Sequence, residues 1–377
     1  MKKILAFLVA LAAGFYAAAQ SISLPPSGDN QKSTVTQWIG PVSVTIDYSS
    51  PNVHAPNGDD RKGHIWGELV HYGFIDQGYG TSKAAPWRAG ANENTVITFS
   101  NDVKIGGEKL KAGKYGLFLD VEKDGPWTWI FSKTSDRWGS YYYDPKDDAL
   151  RVKTTPEDAE YTEYLTYSFT DREPNSSVAF LQWENKRVPF KIEVPNVNEL
   201  YVEKIRGELM GNRMGFDYTP WMDAAQFCAQ NKINLEEALT WADNAISGTF
   251  IGREDFASLQ TKALVLYAMK RDAEADAVMD KAIKLPTAHV PDVHQYGRSL
   301  LAAGKSQKAM EVFKLNRQLH PDDTFTTYVG LARGYTALGD KKNAIKNWEI
   351  AIKNIPDNQK PNLPAYEAEV KKLKGGA

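Results

Sequence analysis

The chain has 377 residues, with 45 Lys and Arg against 47 Asp and Glu, a formal charge of −2. That balance excludes a strongly basic nucleic-acid binder, and a hydrophobic content of 42% excludes wholesale disorder. Cys228 is the one cysteine, so no intrachain disulfide and no multi-cysteine metal cluster can form.

Residues 1–19 have the three parts of a secretory signal. Lys2 and Lys3 supply the positive start, Ile4 to Tyr16 the apolar stretch, and Ala17-Ala18-Ala19 before Gln20 a cleavage site. The apolar run is short for a bilayer span, which needs ~20 residues. No cysteine follows the cleavage site, so a lipid anchor is not expected. The expectation is a periplasmic or secreted protein with no membrane insertion after cleavage. Cys228, in a helical alanine-rich context, reads as a small core residue.

The chain changes character near residue 195. Residues 20–195 hold 7 Trp and 9 Ala, whereas residues 196–377 hold 3 Trp and 24 Ala. Aromatic residues favour strands and alanine favours helix. The expected plan is a signal over 1–19, a β-domain over 20–195, a linker or helix over 196–216, helical repeats over 217–356, and a capping helix with tail over 357–377.

Period-two alternation marks the strands. Val42, Val44, Ile46 and Tyr48 alternate with polar residues. Tyr115, Leu117, Leu119 and Val121 do so next, and Trp127, Trp129 and Phe131 follow across the turn Asp124-Gly125-Pro126. Tyr161–Phe169, Val178–Trp183 and Val188–Val194 add three candidates. Short strands between turns, each with one solvated face, predict an antiparallel β-sandwich or jelly-roll-like domain. Tyr141-Tyr142-Tyr143 reads as an edge strand. Asp120-x-Glu122-x-Asp124-Gly125 begins like a calcium loop, but its twelfth position is Phe131, so it reads as a hairpin turn.

Segment 51–93 is long, rich in Gly, Pro, Asn and His, and weakly periodic; such a connection is usually functional or disordered. Its candidate binding residues are Trp66, His71, Trp87, Arg88, Asn92 and Glu93. One reading pairs Arg88 with Glu93 in a buried ion pair that Asn92 orients, with Trp66 and Trp87 in the core. A second makes the two tryptophans a platform for a sugar or peptide, with directional bonds from Arg88, Asn92 and Glu93. A third makes Glu93 or Glu68 a general acid or base with His71. His64, Glu68 and His71 would align on a helix for zinc, but Gly63, Gly67 and Gly73 argue against one. No metal and no cofactor is expected.

The helical part repeats. Ala309-x-x-x-Phe313 matches Ala344-x-x-x-Trp348; Pro321 and Pro356 follow, and Gly304 and Gly339 precede. Counting back reaches Ala275 and then Ala238. With Tyr328, Leu331, Ala332 and Tyr335, residues 217–356 resemble the tetratricopeptide-repeat family. The resemblance implies stacked helix pairs whose groove holds a protein partner.

The β-part also becomes familiar. Ser50-Pro51, Ile65-Trp66-Gly67-Glu68-Leu69-Val70, Trp87–Thr95 and Leu110–Phe118 are similar to the secreted bacterial domain-of-unknown-function 2911 family, over about residues 21–195. So are Trp138-Gly139, Tyr143-Asp144 and Leu150-Arg151-Val152. That family implies no established activity or catalytic residue. The stretch Asp76–Pro86 looks like an inserted loop. Together the residues indicate an exported, non-enzymatic binding or assembly protein, its repeats holding a protein partner. A possible small ligand or glycan would sit on the β-domain. The alternatives are an envelope enzyme or carbohydrate-binding module with its site at Trp66 and Trp87–Glu93, and a purely structural envelope protein.

Overall fold

The computed structural model describes residues 30–375 apart from 56 and 212, so the expected signal segment lies outside the described residues. The chain divides into two compact units, one ending at Tyr201 and the other beginning at Val202.

The first unit is two antiparallel sheets. Among the described residues ten strands build it: β1 (Gln31–Ile39), β2 (Val42–Ser50), β3 (Thr95–Phe99), β4 (Val103–Ile105), β5 (Glu108–Leu110), β6 (Gly113–Asp120), β7 (Trp127–Ser132), β8 (Asp148–Thr154), β9 (Glu157–Glu173) and β10 (Ser176–Glu193). The six-stranded sheet runs β1-β2-β3-β6-β7-β8 and the four-stranded sheet β5-β4-β10-β9. Alternate residues of both face one core: Val44 and Ile46 of β2, Leu117 and Leu119 of β6, Trp129 and Phe131 of β7, Leu181, Trp183 and Phe190 of β10. Each such side chain stabilises the fold by about 1.5–3 kcal/mol on burial.

Three features depart from the sequence reading. Val178–Trp183 and Val188–Val194 are not separate strands. Nearly all of both lies in β10, an 18-residue strand kept continuous by register shifts around Glu184, whose φ is +52°. A bulge of this kind adds a residue and bends the strand without ending it. Tyr141–Tyr143 are not an edge strand: Gly139–Tyr142 form a 3₁₀ turn, entered through Gly139 at φ +59°. The expected solvated face of β6 and β7 is covered as well, because Phe118 and Ile130 make a small second core with Tyr143 and Phe74.

The second unit is helical, and α1 (Val197–Gly211) leads into it. Four antiparallel pairs follow: α2 (Tyr218–Asn231) with α3 (Leu235–Ser247), α4 (Phe256–Ala268) with α5 (Asp272–Ala282), α6 (Val290–Ala302) with α7 (Ser306–Leu319), and α8 (Thr326–Ala337) with α9 (Lys341–Lys353). Helix α10 (Leu363–Leu373) packs on α9. Ala238, Ala275, Ala309 and Ala344, one on each second helix, are fully buried. The absence of bulk there lets neighbouring helices approach. Side-chain caps fix several starts, such as Asp255 and Ser258 at α4 and Asp340 at α9. The result is a tetratricopeptide-like array.

Candidate functional site

Segment 51–94 is pinned to the sandwich by backbone bonds. Val53 N–H donates to the Glu163 carbonyl at 2.9 Å, and Trp87 and Leu119 exchange bonds at 3.1 and 2.9 Å. Val53, Ile65, Val70, Ala85, Trp87 and Ala89 are buried. The segment is thus a folded loop with its own core residues. His54 presents its backbone N–H and its Nδ1 to the two oxygens of Glu163, each at 2.8 Å. Burial alone would raise the Glu163 carboxyl, but bonds from Tyr161 and His54 outweigh it and hold the group at about 2.

The tryptophan platform is overturned. Trp87 is 7% exposed and stacks on Trp183 at 6.2 Å between ring centres. Trp66 meets Trp87, Trp127 and Trp183 at 5.7, 5.0 and 6.1 Å. Trp87, Trp127 and Trp183 are buried in the core, and the half-buried Trp66 packs against them.

The Arg88–Glu93 pair is also absent. Arg88 Nη1 donates to the Asn92 backbone carbonyl at 2.6 Å, and its guanidinium lies over the Tyr141 ring at 5.2 Å. A side-chain carbon at Gly139 would fall 2.5 Å from Arg88 Cζ, so glycine is needed there for the close approach as well as for its φ. Glu93 instead pairs with Lys32 and accepts from Ser49 Oγ at 3.4 Å. Burial would raise the Glu93 carboxyl; the Lys32 ammonium, a backbone bond and the Ser49 hydroxyl together outweigh it and hold the group below its usual range. The Asn92 side chain accepts from Asn30 at 3.3 Å. Left-handed backbone at Ala89 (φ +50°) and Asn92 (φ +58°) turns these side chains apart.

His71 is near Arg88 but serves the loop. Its Nδ1 donates to the Gly73 carbonyl at 3.0 Å, which leaves Nε2 buried without a hydrogen-bond partner. Burial pushes this imidazole down, and Arg88 adds to that. His64 pairs with Glu68 at 2.9 Å while His71 bonds within its own loop, and among the described residues no three such side chains gather as one metal would need. Glu93 does line a cleft of about 260 Å³ with Lys32, Asp47, Tyr48, Asn94 and Arg137. Asn94 is buried there, with an unpartnered Oδ1.

The helical array offers a larger apolar recess, which the sequence reading did not single out. A cavity of about 340 Å³ opens between α4 and α6, walled by Leu264, Tyr267, Met279, Tyr296 and Leu300. At its margin Tyr267 donates to Asp276 at 2.6 Å, and Lys305 reaches the other oxygen at 2.7 Å. Burial opposes the charge on Asp276, but the bonds from Lys305 and Tyr267 hold its carboxyl below the usual range. These residues lie 9 and 29 positions apart, which hides them from motif reading. Tyr267 and Tyr296 stand among other large apolar residues, such as Phe256, Leu266 and Leu300, so bulk does not single them out either.

No curated protein matches the sequence. Among solved structures, a tetratricopeptide repeat protein from Parabacteroides merdae shares 14% identity, covering 48% of this chain and 68% of its own at a TM-score of 0.34. MamA from Desulfovibrio magneticus shares 18%, covering 42% and 93%, at 0.28. The β-unit carries the clearer relationship: residues 30–192 match the family model described as a protein of unknown function (DUF2911), and in this chain that domain precedes a tetratricopeptide-like array.

Proposed function

We propose that the chain is an exported interaction scaffold, in which the helical array holds a segment of a protein partner and the β-domain is a rigid companion module. The observation that carries this reading is the apolar cavity between α4 and α6, open at the surface and edged by Gln260, Gln295 and Ser299. A recess of a few hundred cubic ångströms with apolar walls and a few polar groups suits one anchoring side chain. The test is cross-linked capture by the full chain from a cell-envelope fraction. A partner recovered by the parent and lost with Leu264→Arg supports the reading; equal recovery by both, or none by either, overturns it.

A second reading concerns the β-domain alone. The buried, unpartnered Asn94 Oδ1 beside the Glu93 cleft favours a small polar ligand such as a glycan. Thermal shift with a panel of oligosaccharides checks it: a rise in Tm abolished by Asn94→Ala supports a ligand, and no rise with any sugar rejects the glycan.

A further inference from the structure

The first helices of successive pairs present one position in register. Leu264 on α4, Arg298 on α6 and Arg333 on α8 are 34 and 35 residues apart, which is the period of the repeat. Leu264 is 38% exposed and lines the cavity. Arg298 is exposed, and its contact is a 3.4 Å bond to Gln295 on its own helix. Arg333 is half-buried over the Trp348 ring at 5.7 Å, and its Nε is buried without a hydrogen-bond partner. One turn before Arg298, His294 also has an unpartnered buried Nδ1, and it abuts α8 so closely that a side-chain carbon at Gly330 would lie 3.1 Å away.

Neither arginine is ion-paired among the described residues, whereas other cations of the array are. Lys262 meets Asp243, Arg271 meets Glu274, Lys305 meets Asp276 and Lys308 meets Asp280. Burial works against the charge on Arg333, and Arg298 adds to this, while Tyr366 and Glu369 on α10 oppose it. A half-buried guanidinium without a directly paired anion is a costly arrangement. A carboxylate brought by a partner would relieve it through a paired, charge-assisted contact.

We propose that this row reads an acidic, extended partner segment, with one apolar side chain in the cavity beside Leu264 and carboxylates on Arg298 and Arg333. Packed helices lie roughly 8–10 Å apart, and an extended chain rises roughly 3.3 Å per residue. Helices α6 and α8 pack directly, so the two carboxylates stand about three residues apart in the partner, while the apolar side chain lies further along, across the cavity that separates α4 from α6. This inference rests on the scaffold reading and names the chemistry its groove recognises.

The experiment is fluorescence anisotropy with the full chain and blocked, labelled peptides carrying two Glu at three-residue spacing and one Leu at graded distances beyond them, in both chain directions. The controls are the same peptides with Gln for Glu. The expected result is binding in one direction that weakens with salt, falls at least tenfold with Gln, and falls similarly in Arg298→Ala. Arg333→Met, which keeps the side-chain bulk over Trp348 and removes the costly charge, should also lose at least tenfold with a melting temperature no lower than the parent's. Equal binding of Glu and Gln peptides overturns the proposal, as does no binding of either direction at millimolar peptide. The envelope capture separates the two readings. A partner retained by an Arg298→Glu, Arg333→Glu double variant but lost with Leu264→Arg leaves the scaffold and rejects the acidic motif. No partner for the parent chain rejects both.

Discussion

Arg88 and Glu93 stand five positions apart and carry opposite charges, yet they bond to different neighbours. Spacing alone cannot reveal this, because two left-handed residues between and beside them redirect the chain. Arg88 holds a carbonyl and a ring; breaking those contacts leaves no buried carboxylate behind. Arg88→Ala should thus cost about 2 kcal/mol, the worth of a charged hydrogen bond with some ring contact, and less than the ~3–5 kcal/mol of a broken buried pair. Lys32→Ala, at an exposed pair, should cost under ~1 kcal/mol. Urea unfolding of both variants checks the order, and a Lys32→Ala loss exceeding that of Arg88→Ala would contradict the assignment. His294 gives a pH signature. Burial, then Arg333 and Arg298, hold its imidazole at about 4 against an ordinary 6.5, while Asp323 pulls slightly the other way. The folded state favours the neutral ring, so its contribution is complete above pH 6.5 and is lost as pH falls from 6.5 to 4. The shift corresponds to about 3 kcal/mol. Replacement by Gln should flatten the stability–pH slope in that window; an unchanged slope would show that another group carries it.

At the level of elements, the repeats were the most legible part, because small residues and prolines recur at a fixed period. The strands with clean alternation, β2, β6 and β7, were legible for the same reason. Strand β1 was not: Gln31-Lys32-Ser33-Thr34 is polar on both faces, and the strand exists because β2 pairs with it along its full length. The bulge in β10 was hidden too, since register is a property of two strands. Among the helices, Gly330 tests packing against propensity. Alanine there would gain roughly 1 kcal/mol in intrinsic helix preference, but its carbon would lie 2.6 Å from the fully buried Phe313 ring. Overpacking of ~1–3 kcal/mol should win. Gly330→Ala is expected to lower the melting temperature, and a rise would mean that Phe313 can move aside.

Across the described residues, each unit has its own hydrophobic clusters, one large core in the sheets and three in the helices. Heating should then show two transitions, since two-state behaviour holds for single domains. Trp183→Ala, in the sheet core, should lower one transition by about 3–5 kcal/mol of stability and leave the other in place. A single transition displaced as a unit would show that the cores melt together. Within the β-unit, one atom sets the scale of cooperativity. The Ala89 carbonyl accepts the Thr95 hydroxyl at 3.0 Å and the Tyr167 hydroxyl at 2.8 Å. Thr95 belongs to one sheet and Tyr167 to the other, so a loop residue with a one-carbon side chain bolts both. Amide protons of the loop around Ala89 should exchange with deuterium as slowly as those of the central strands, and a protease that opens this loop should take the sandwich apart with it.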